Sequence, residues 1–124
     1  MLITSIPQYI QNITNAKVDL TTTDNTTLYT APSGSNVNAS IVSSILVSED
    51  SGNADTITVT ITDTSSNVFS LFKTKSISAN GTTELLSAPL VLEESEILKV
   101  TAATANRLHV VLSALEIKPR EVTT

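Results

Sequence analysis

From Lys17 onward, apolar and polar residues alternate with a period of two, the pattern of strands that bury one face. The clearest case is 55–63, where Ile57, Val59 and Ile61 point one way and Thr56, Thr58, Thr60 and Thr62 the other. Val18 and Leu20 open the pattern, and 26–30 resumes it after a turn at Asp24-Asn25. Ala31-Pro32-Ser33-Gly34 is turn chemistry, with proline fixing φ and glycine admitting positive φ. Residues 38–48 read as a long strand with Ala39, Ile41, Ile45 and Val47 on one face and Val42 and Leu46 on the other. In 68–73, Phe69 and Leu71 share a face. Asn80-Gly81 predicts a hairpin turn into a returning strand at 82–86. A short apolar stretch at 90–92 and strands at 97–102 and 107–117 follow, the last two antiparallel if their link is a simple hairpin. About eight short strands with turns between them predict an all-β fold, an antiparallel β-sandwich of jelly-roll-like type. The sandwich is expected over 17–118, with a polar tail at 119–124.

Residues 1–16 behave differently. Ile3, Ile6, Tyr9, Ile10 and Ile13 are spread through a stretch with no charge. The spacing of Ile6, Tyr9, Ile10 and Ile13 fits one face of a short helix, with Pro7 in its first turn; the other reading is an extended arm. Either way these side chains need cover, and a sandwich beginning at Lys17 can close its own core. Ile3, Ile6, Tyr9, Ile10 and Ile13 are therefore the expected partner-binding residues. Deleting 1–16 is expected to leave a folded domain.

Composition narrows the functions. The chain of 124 residues is 40% hydrophobic and 15% charged, enough for one core. Thr, Val and Ile together number 42, which stiffens χ1 and favours strands. No apolar run exceeds three residues, so no transmembrane helix and no membrane partner are expected. No Lys or Arg precedes Lys17, so a signal peptide's basic flank is missing. Zero Cys excludes disulfides and thiolate chemistry. The net charge of −5 comes with scattered bases, Lys73 and Lys75 being one close pair, and argues against a nucleic-acid partner. With no Trp, two Tyr and two Phe, a sugar-stacking platform is disfavoured.

Candidate chemistry is sparse. His109 is the lone histidine, mid-strand between Leu108 and Val110, and no motif supplies triad or metal partners. Glu49, Asp50, Asn53 and Asp55 crowd one glycine-containing loop, yet their spacing misses a calcium loop, and solvated turn residues are the plainer reading. Glu93, Glu94 and Glu96 read as a solubilising turn rather than paired acid–base carboxylates. Four Asn-X-Ser/Thr triplets are expected by chance in a chain this rich in those residues. The expectation is a protein that is not an enzyme and has no catalytic, metal or cofactor site.

Four stretches taken in order resemble a family of small virion proteins of tailed bacteriophages, particularly phages of marine bacteria and cyanobacteria. They are Leu28-Tyr29-Thr30-Ala31-Pro32-Ser33-Gly34; Ile45-Leu46-Val47 with Asp55-Thr56-Ile57-Thr58-Val59-Thr60; Leu90-Val91-Leu92-Glu93 with Leu98-Lys99-Val100; and the terminal strand 108–117. The resemblance spans about 18–117, departs where Ser95-Glu96 replaces the family's Gly-Asp, and omits 1–16. It implies a virion structural protein assembled in the host cytoplasm, foremost a capsid decoration or cement protein. The implied partners are the major capsid protein or other virion proteins, and copies of itself as a homo-oligomer, trimer or higher. A neck, tail or fibre-adaptor component is the alternative, and a host-surface glycan-binding module a second.

Overall fold

The alternating segments form strands because each has a β-branched or leucine-rich face to bury. A computed structural model of the chain describes residues 8–34 and 39–120. Within them the strands are β1 (Gln8–Asp19), β2 (Thr26–Thr30), β3 (Ala39–Glu49), β4 (Asp55–Thr62), β5 (Val68–Ile77), β6 (Thr82–Glu84), β7 (Leu90–Glu93), β8 (Ile97–Ala102) and β9 (Leu108–Arg120). One sheet runs β1-β9-β3-β6, with β7 also on β3; the other runs β2-β8-β4-β5, and every pairing is antiparallel. β6 lies along residues 46–48 of β3 and β7 along 39–42, so the two share one strand position, interrupted at 85–89 where Pro89 stands. Counted that way, each sheet has four positions in the order of an eight-stranded jelly roll.

The core lies between the sheets. Val42, Ile45, Val47, Leu108, Val110 and Leu112 from the first sheet meet Ile57, Val59, Leu98 and Val100 from the second, all fully buried. Ile57 and Val59 thus face inward as the alternation requires, with Ile61 packed against the core. Thr56, Thr58, Thr60 and Thr62 lie half-buried on the opposite face of β4.

Several local expectations change. Residues 8–16 of the expected arm belong to β1, paired in unbroken register with β9, so the boundary expected between Ala16 and Lys17 falls inside a strand. Ala16 and Val18 pack on the core, which a detached arm would not do. A bulge at Ser43 reverses the alternation in β3: Val42, Ile45 and Val47 point inward, while Ala39, Ile41 and Leu46 point out. A similar extra residue at Leu71 sets Phe72 opposite Val59 and leaves Phe69 exposed, so Phe69 and Leu71 do not share a buried face.

Asn80-Gly81 does not close a hairpin, because β5 and β6 belong to opposite sheets. Asn80 takes φ of 55°, and the Gly81 N–H donates to the Ser78 carbonyl (2.9 Å), carrying the chain over the sandwich end. A Cβ on Gly81 would stand 3.1 Å from that carbonyl oxygen, a tight approach. β8 and β9 likewise lie in different sheets, so their link is a crossing.

Candidate functional site

An antiparallel sheet can keep one face in water, and that face is normally polar. The outer face of the first sheet departs from this. Strand register aligns Ile13 of β1 with Leu115 of β9, Ile41 of β3 and Val91 of β7, giving an apolar row across four strands. Ile13 is 80% exposed and Val91 58%, while Leu115 and Ile41 are half-buried between them. Val111 and Leu46 form a second exposed pair, and Ile117 lies against Ala39 beyond the row. Lys17 beside Val111, and Glu84 beside Leu46, give the band a charged rim of both signs. Exposed apolar patches rimmed by polar residues mark surfaces that contact a protein, a membrane or a ligand, or that aggregate.

Of the expected partner-binding residues, the structure places Ile13 in this band. Tyr9 and Ile10 are on β1 by their backbone, whereas Ile3 and Ile6 lie outside the described residues. Sequence reading missed Ile41, Leu46, Val91, Val111 and Leu115 as surface residues. The doubled apolar pattern at 41–47 was the available signal, and only the bulge decides which half faces out.

The titratable groups are occupied structurally. Tyr29 reaches from β2 across the sandwich and donates to Oε2 of the buried Glu116 (2.6 Å), with Ser40 Oγ 3.0 Å from its oxygen. Asn12 Nδ2 donates to Glu116 Oε1 (2.9 Å), which ties the N-terminal half of β1 to this interior network. Burial, then the bond to Glu116, pushes the Tyr29 phenol up to about 12.

Glu49 is buried at the end of β3. Burial alone would raise its carboxyl. The Ser51 hydroxyl and the backbone N–H groups of Asn80 (3.0 Å), Ser51 (2.7 Å) and Gly52 (3.1 Å) outweigh it and hold the group down to about 2. The loop at 49–55 is thus organised around Glu49 as an acceptor. Asp55 accepts the Thr104 N–H (3.1 Å), and Asp50 turns to His109.

His109 lies between two carboxylates, Nε2 at 3.2 Å from Asp19 and Nδ1 at 3.5 Å from Asp50. Both ring nitrogens are taken by acids on opposite sides, which leaves neither aimed at a nucleophile. Glu96 accepts the Glu93 N–H (2.8 Å) in the turn between β7 and β8. Among the described residues, no three His, Asp or Glu side chains are placed to share a metal ion.

The fold and this band define a class: a jelly-roll domain with an apolar outer sheet face. The sequence matches no protein-family model and no curated protein. Among solved structures, a chain in the acid-stable capsid of Helicobacter pylori bacteriophage KHP30 is similar, with a TM-score of 0.51 and 14% identity. The match covers 94% of this chain and 99% of that one. A chain of infectious bursal disease virus, Gx strain, is matched over 93% of this chain and 30% of its own, with 11% identity; its TM-score of 0.36 carries no argument.

Proposed function

We propose that this chain is a virion structural protein, a decoration or cement protein that reinforces a phage head by contact area. The observation that carries the reading is the exposed apolar band Ile13–Leu115–Ile41–Val91 on a rigid jelly roll. The fold shared with a chain of similar length in a phage capsid, and the resemblance to small virion proteins of tailed phages, support it. The band docks on the major capsid protein or another virion protein, with Ile13 and the neighbouring Ile3, Ile6, Tyr9 and Ile10 of the N-terminal segment contributing. The chemistry is non-catalytic, and the site of action is the particle, assembled in the host cytoplasm.

A glycan-binding role finds little support in the rings. Tyr29 is buried, Phe72 is half-buried, and Phe69 alone among the described rings is well exposed. Quantitative mass spectrometry of purified particles tests the reading. Hundreds of copies per particle are expected of a head decoration protein. A few or a dozen would instead assign the chain to the neck, tail or fibre base. Val91→Lys, which puts a charge in the band, should lower occupancy on the particle; full occupancy would remove the band from the attachment surface.

A further inference from the structure

The sheet edges are not treated alike. β5 carries Lys73 and Lys75, a positive φ at Thr74 and two register breaks. β2 has five residues and a register break, and β6 and β7 are short and separated by Pro89. Each device keeps a sheet from adding a foreign strand. β1 is guarded only at its C-terminal end, by Lys17 and Asp19. It is 12 residues long, pairs with β9 without a break, and has no charge, proline or glycine across 8–16.

The backbone phase of this open edge can be read. The Leu20 N–H donates to the Leu108 carbonyl (3.0 Å), so Val18, Ala16, Thr14 and Asn12 turn their backbone groups toward β9. Asp19, Lys17, Asn15, Ile13, Gln11 and Tyr9 turn theirs outward. Pro119 agrees with this phase: it stands opposite Tyr9, and its missing N–H falls on the far side of β9, beyond the last β3 partner at Ala39.

We propose that β1 pairs antiparallel with β1 of a second copy about a two-fold axis at Ile13, joining the two first sheets into one. An axis on any residue of β1 sets outward groups opposite outward groups, and those on Ile13 and Thr14 overlap equally within Gln8–Asp19; only the axis on Ile13 brings the exposed Ile13 side chain opposite its own copy. Gln11 then faces Asn15, Tyr9 faces Lys17, and no like charges meet. Ile13, 80% exposed in the single chain, gains its own copy as a cross-strand apolar neighbour. The contact is isologous and closes at two copies; a trimer or larger assembly would need a further surface. This inference goes beyond the virion reading and does not rest on it.

Sedimentation equilibrium of the full chain, without particles, should show a dimer. Ile13→Lys and Ile13→Glu should each be monomeric with the wild-type β-sheet circular dichroism, since the replaced side chain is exposed. Mixed in equal amounts, they should form a species with one copy of each, seen by native mass spectrometry. Val91→Lys, on the same face but at the opposite edge, should leave the dimer intact. A wild-type chain monomeric up to millimolar concentration overturns the proposal, as do dimers that survive both Ile13 changes. A Lys/Glu mixture that stays monomeric removes the axis from Ile13. Loss of the dimer in Val91→Lys would mean that the faces stack and the edges do not pair.

Discussion

Side chains sealed in the core and side chains held by hydrogen bonds respond differently to change. Val59 is fully buried between the sheets, so Val59→Asp places an unpaired charge there and should cost several kcal/mol, enough to unfold a marginal domain. Thr58, half-buried on the outer face, should tolerate the same change far better in a urea titration. The Thr60 hydroxyl is buried without a partner, and Thr60→Val should be neutral or raise stability by roughly 1 kcal/mol. Tyr29→Phe takes a donor from Glu116 inside the sandwich and should cost about 1–3 kcal/mol. Glu49 gives a pH signature. Its folded value of about 2 lies below the ordinary 4.5, so its stabilisation is present above 4.5 and is lost as pH falls toward 2. Glu49→Gln should flatten that part of an acid-unfolding curve followed by circular dichroism.

At the scale of elements, strand positions were legible and their connections were not. The alternation at 55–63 and 107–117 marks β4 and β9 directly, because a half-buried strand must alternate. Parity fails wherever a bulge adds a residue. Ser43 looks like any strand serine, yet it reverses which of Ile41 and Val42 is buried. The bulge is held by Glu84, whose carboxylate accepts the Ser44 hydroxyl and the Ile45 N–H (2.8 Å), and the Leu86 N–H (3.2 Å) at the break between β6 and β7. No local pattern announces a carboxylate that acts 39 residues away in the chain. Glu84→Ala should therefore loosen both irregularities, seen as faster amide exchange at Ile45 and Leu86 than at Val59. The apolar band was hidden for the same reason: its rows are set by register between distant strands, and the residues carry no motif.

The whole molecule depends on β1 more than the sequence pattern implied. Removing 1–16 takes away most of a 12-residue strand, the Asn12 bond to Glu116 and the Ala16 contact with the core. The truncated chain should melt roughly 10 °C or more below the intact one, since each 1 kcal/mol lost shifts a domain of this size by several degrees. Counting apolar residues in 1–16 marks a segment that needs cover but not that 8–16 has a partner strand. That partner is β9, far along the sequence, which short-range patterning cannot reveal.

The pairing of β1 with β9 also dictates the order in which the molecule can be made. β9 sits between β1 and β3, so the first sheet lacks its middle until residues 108–120 have left the ribosome. Until then, β1 has no mate among the described strands, and β3 has only β6 and β7 beside it. The first sheet therefore closes only after β9 is made, through contacts between segments far apart in the sequence. Such topologies close in milliseconds to seconds rather than microseconds. During that interval, nascent chains emerging side by side on one message present the same uncharged segment to one another.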